Sequence, residues 1–202
     1  MRSTIATIAA IALIANVNAG IVSGACQNLT NVPYNNVTMG KPIQHFLLGM
    51  DKTVYSYLGL AQALAPKGAF PNLTCFNLGN FGYPQTVYQS EFVNQTSVLA
   101  LKELYFDAAT GTQVAYDCID SSKAAALIAY ANKTLGININ ATTVATFNKL
   151  LKGAHFDVTF ILSNQTSINA TTTAAMVKGV QKDLPKFAMT SIHMFNTTGC
   201  KA

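Results

Sequence analysis

Hydrophobic and polar residues recur with readable periods over much of this chain, and each period predicts an element. Leu99 to Asp107 and Thr112 to Ile119 suit two strands joined by Ala108-Ala-Thr-Gly111, with Gly111 at a left-handed turn position. Residues 98–119 therefore read as a hairpin. On its first strand Leu101, Glu103, Tyr105 and Asp107 share one face, and Leu104 and Phe106 the other. Residues 155–163 alternate strictly: Phe156, Val158, Phe160 and Leu162 face one way, and His155, Asp157, Thr159 and Ile161 the other, the pattern of a half-buried strand. Residues 187–196 form a closing strand.

Helical spacing fills the intervals. Ile43, Phe46, Leu47 and Met50 make one apolar stripe; Val54, Tyr57, Leu58, Ala61 and Ala65 make a second, begun at Asp51 and stopped by Pro66. Ser121 or Ser122 caps a helix whose stripe is Ala124, Leu127, Ile128, Ala131 and Leu135, ended by Gly136. Thr142 caps a shorter helix with Val144, Phe147 and Leu151 inward. Thr171 or Thr172 caps another with Ala174, Val177, Val180 and Leu184 inward, stopped by Pro185. Residues 140–166 and 169–198 look like one helix–strand unit written twice, each copy opening Asn-Ala-Thr-Thr and closing on Asn-x-Thr. The helix between the last two strands is long enough for a crossover, which would make those strands parallel neighbours. The expected fold is α+β: a mainly antiparallel sheet, made of the hairpin at 98–119 and strands at 155–163 and 187–196, covered by helices and stapled by disulfides.

The first residues predict a targeting segment. Met1-Arg2 is positive, Ile5 to Ala15 is apolar but too short to span a bilayer, and Val17-Asn18-Ala19 suits signal peptidase. Residues 1–19 are thus expected to be removed, with a cut after Ala25 as the second choice, leaving 20–202 as a single secreted domain. Within it, residues 20–40 read as an extended arm or edge strand pinned by Cys26. No later stretch predicts a membrane span, and Gly199-Cys200-Lys201-Ala202 does not resemble a lipid-anchor signal.

Charge is scarce, at 10% of residues against roughly 25% in an ordinary soluble domain. The net charge of +5 is spread over single lysines, without the basic runs or aromatic–basic interleaving of a nucleic-acid binder. Surface polarity must come from Thr, Asn, Ser and, on the next argument, sugar. Asn-x-Thr occurs at Asn28, Asn36, Asn72, Asn94, Asn132, Asn140, Asn164, Asn169 and Asn196. Nine such sites stand against roughly three expected from 17 Asn and the 32 Ser and Thr of 202 residues. N-linked glycans are accordingly the expected partners, on solvent-facing asparagines in a eukaryotic secretory route. Sugar would keep so uncharged a chain soluble and mask its sheet edges.

Cys26, Cys75, Cys118 and Cys200 make an even set at wide spacing, which in a secreted chain predicts two disulfides with three connectivities open. Zinc is disfavoured by the spacing and the oxidising route. Catalytic, cofactor and metal sites are assigned to no residue. His155 and Asp157 can touch, but no nucleophile turn completes them, and an exposed ion pair is their commoner role. Glu103, Asp107, Asp117 and Asp120 form a loose acidic group without the close pairing that acid–base chemistry needs. The glycines of residues 77–84 lack phosphate-loop spacing. Lone His45 and His193 lie beside apolar stripes. Three function classes follow in order: a structural or surface-coat subunit of an extracellular assembly, a carrier of a small apolar ligand, and a hydrolase or lectin-like module.

Overall fold

The computed structural model describes residues 21–29, 45–56, 77–78, 102–134 and 141–200. The targeting segment 1–19, Cys75, and the sequons at Asn36, Asn72, Asn94 and Asn140 lie outside the described residues. The chain divides into two compact units. The described part of the first comprises 21–27, 53–56, 118–134 and 141–158; that of the second, 28–29, 45–52, 77–78, 102–117 and 159–200. The elements are those of an open, mostly antiparallel sheet with a few helices, in keeping with the expected α+β class.

The second unit is built on strands. In chain order the strands are β2 (His45–Asp51), β3 (Asn77–Leu78), β4 (Lys102–Asp107), β5 (Thr112–Ile119), β6 (Ala154–Ser163) and β7 (Ile192–Met194), of which residues 118–119 of β5 and 154–158 of β6 belong to the first unit. They stand in the order β3-β2-β6-β5-β4, with β7 also on β2. β2 runs where a helical stripe was expected. Phe46, Leu47, Leu48, Gly49 and Met50 are all buried, so the segment is apolar on both faces. A continuous apolar run of this length fits either period, and neighbours on both edges settle it as a central strand. Its pairing with β6 carries a bulge at Leu48, between the pairs Leu47–Leu162 and Gly49–Ile161. At Gly49 a Cβ would come within 2.8 Å of both Ile192 Cγ2 and Met194 Sδ, so glycine is what lets β7 pack this close. Residues 52–56 are helical, as the Asp51 reading expected.

The hairpin forms as read, with Gly111 at φ 59°. Its turn is fastened by Asp107, whose carboxylate accepts from Ala109 N at 3.0 Å and Thr110 Oγ1 at 2.7 Å. One detail differs from simple alternation. Glu103 pairs with Ala115 and Tyr105 with Val114, so Leu104 is bulged out of register. The bulge moves Glu103 off the face of Tyr105 and Asp107 and onto that of Phe106, Gln113 and Ala115. Nor is β6 half-buried: His155, Val158, Thr159, Ile161, Leu162 and Ser163 are all inside, and the strand lies between β2 and β5.

Helix α3 (Ala170–Val180) packs against β4. Its cap is Asn169, not Thr171 or Thr172: Asn169 Oδ1 accepts from Thr172 N at 2.8 Å. Its buried positions are Thr172, Met176 and Val180, rotated from the expected stripe, and Gly179 lies against the ring of Tyr105. The expected closing strand shrinks to β7, preceded by a 3₁₀ turn at Met189–Ser191. It is no neighbour of β6: both run antiparallel to β2, which separates them.

The first unit holds β1 (Ile21–Ser23), antiparallel to the start of β6, as the edge-strand reading of the arm expected. Helix α1 (Ser121–Thr134) packs on α2 (Ala141–Leu150). Asp120 caps α1 in place of either serine, its Oδ1 accepting from Ser122 N at 3.0 Å and Lys123 N at 2.9 Å. Thr142 sits inside α2, where its carbonyl accepts from Thr146 Oγ1. Ile119, Ala124, Leu151 and Val158 form the described apolar core of this unit. No helix among the described residues is long and apolar enough to cross a membrane.

Candidate functional site

The densest convergence of reactive side chains among the described residues lies in the first unit. Cys26, just beyond β1, is joined to Cys118 near the end of β5, with Cα atoms 5.7 Å apart and 92 residues between them. Cys200 is disulfide-bonded as well.

Beside the first bridge lies His155. The strand period of β6 turns it inward, and it is only 4% exposed. The expected exposed ion pair with Asp157 is therefore half wrong: Nε2 lies 3.6 Å from Asp157 Oδ1, but only the carboxylate reaches solvent, at 33% exposure. The Gly24 carbonyl lies 2.8 Å from His155 Nδ1. A carbonyl can only accept, so Nδ1 carries the proton and the lone pair of the neutral ring is on Nε2. One ligand atom from each of Cys26, Cys118 and His155 lies within 4.8 Å of the others. Cys118 and His155 are buried and Cys26 is half-buried. Separation in the chain hid this group: Cys26, Cys118 and His155 are brought together although Cys26 and His155 stand 129 positions apart.

The loose acidic group divides by role. Asp107 fastens the hairpin turn and Asp120 caps α1; the backbone N–H of Lys123, followed by the Ser122 side chain, holds the Asp120 carboxyl below its ordinary value. Glu103 and Asp117 are not on a solvated face. They are 6% and 3% exposed, and the Leu104 bulge sets them diagonally across one face of the hairpin. Burial pushes Glu103 up to about 8. His193 is half-buried and meets Phe195 edge-on at 5.1 Å between ring centres.

Four of the sequon asparagines are described with their side chains. Asn28, Asn164, Asn169 and Asn196 are all exposed, and the last three stand at element ends: after β6, at the start of α3 and after β7. Asn132 lies within α1. Asn196 Oδ1 accepts from Thr198 N at 3.2 Å and Asn169 Oδ1 caps α3, so in both the carbonyl end of the amide is engaged locally. The Asn164 amide instead lies over Gly111. Comparison with known protein families, curated proteins and solved structures finds no match to this chain.

Proposed function

We propose that this chain is a secreted, heavily N-glycosylated, non-enzymatic protein that serves as a structural or surface-coat subunit of an extracellular assembly. The observation that carries the reading is the placement of acceptor asparagines. Nine Asn-x-Thr sites stand where composition predicts roughly three, and all four described with side chains face solvent. Sugar attaches at Nδ2. The Oδ1 contacts of Asn169 and Asn196 are thus compatible with a glycan at each.

Scarce charge is part of the same argument. A surface with so few charges needs another hydration shell to stay apart from unwanted neighbours, and glycans supply one. Two short strands offer contacts for intended neighbours. Val22 on β1 and Met194 on β7 are exposed apolar residues, and each strand has a single partner strand among the described residues. The bridges make each subunit durable outside the cell.

Light scattering of the native secreted particle, before and after glycosidase, tests this. A deglycosylated mass several times the 21.5 kDa chain supports an assembly subunit. A monomer overturns the assembly, and a mass that glycosidase leaves unchanged overturns the sugar.

A further inference from the structure

Cys26, Cys118 and His155 have a second chemistry that the disulfide conceals. We propose that, once the Cys26–Cys118 bridge is reduced, these residues form a binding site for a thiophilic divalent cation of the zinc class. Asp157 or water completes the coordination.

The donor set suits the ion. Two thiolates, one imidazole and an oxygen are ligands that Zn²⁺ and its analogue Co²⁺ take in tetrahedral geometry. Tetrahedral zinc with bonds of about 2.3 Å to sulfur sets its two sulfurs about 3.8 Å apart. Cysteines whose Cα atoms are 5.7 Å apart reach that separation by side-chain rotation alone. The imidazole is already arranged as a ligand. Its Nδ1–H donates to the Gly24 carbonyl, which fixes the tautomer and orients the ring, and Nε2 keeps its lone pair. Asp157 Oδ1, 3.6 Å from Nε2, can supply the oxygen. Burial of Cys118 and His155 excludes water from one side, while half-buried Cys26 and part-exposed Asp157 leave an entry.

The step balances with a two-electron reductant, a dithiol in a biological setting or a water-soluble phosphine at the bench. The phosphine gives two electrons to the S–S bond and becomes its oxide with oxygen from water. The two protons of that water pass to the sulfurs. Binding of M²⁺ then releases those two protons as the thiols become thiolates. Oxidation of the dithiol expels the ion and restores the bridge.

The full-length chain, reduced anaerobically with phosphine, is titrated with Co²⁺ and followed by absorption, with circular dichroism as the check on folding. The expected result is one equivalent bound with a thiolate-to-cobalt charge-transfer band and tetrahedral visible bands. The oxidised chain gives neither. Cys200→Ser retains the spectrum, which excludes Cys200 as a ligand. His155→Gln weakens binding at least tenfold, and His155→Cys restores binding of one equivalent with a stronger charge-transfer band while its circular dichroism stays that of the parent chain. The proposal is overturned by any of four results: a reduced chain that takes up no Co²⁺, folded or not; an unchanged spectrum in His155→Gln; its loss in Cys200→Ser; or no added thiolate band in His155→Cys.

Discussion

Glu103 shows how much one shifted residue changes. Alternation alone would keep it beside Tyr105 and Asp107; the bulge at Leu104 instead turns it into the buried face with Asp117. Its carboxyl, ordinarily near 4.5, is raised to about 8 by burial, so the folded chain holds the proton more tightly than the unfolded one. Stability from this group is complete below pH 4.5 and is lost as pH rises through about 8. Glu103→Gln, which cannot ionise, should flatten the loss between pH 5 and 9 by up to a few kcal/mol in urea denaturation. An identical pH slope in the variant would contradict the assignment. The helix caps are a second residue-scale matter. Spacing offers hydroxyl residues at 121 or 122, at 142, and at 171 or 172, whereas α1 and α3 are capped by the carboxylate or amide side chains of Asp120 and Asn169. Asp120→Ala and Asn169→Ala should each lower stability by about 1 kcal/mol, read from the denaturation midpoint.

Elements differ in how far their own residues announce them. The β4–β5 hairpin was legible because a Gly-containing turn separates two β-favouring runs, and α1, α2 and α3 because small and apolar residues recur at helical spacing. Strand β2 was not. Its side chains are buried on both faces, and pairing with β6 on one edge and with β3 and β7 on the other makes it a strand, a tertiary fact with no periodic trace. Bulges at Leu48 and Leu104 leave no pattern either, since one extra residue only inverts the alternation beyond it. The Cys26–Cys118–His155 group was unreadable for the same reason, being assembled by strand pairing. Two changes test these elements. Gly49→Ala forces a methyl into Ile192 and Met194, and should cost about 1–3 kcal/mol in chemical unfolding. Replacing Cys26 and Cys118 together by Ala opens a 92-residue separation and should lower stability by about 2–4 kcal/mol, visible as a reduced melting temperature.

At the scale of the whole molecule, composition and placement support one another. Only 10% of residues are charged, and half are hydrophobic, so the chain depends on a surface its own side chains supply sparingly. The proposed glycans fill that need, and three of the described sequons, at Asn164, Asn169 and Asn196, stand at exposed element ends. The most direct test is glycopeptide mass spectrometry of the protein secreted from a eukaryotic host. The account predicts N-linked glycan on most of the nine sequons, with Asn28, Asn169 and Asn196 among those modified. Bare asparagine at those three positions in secreted protein would contradict it.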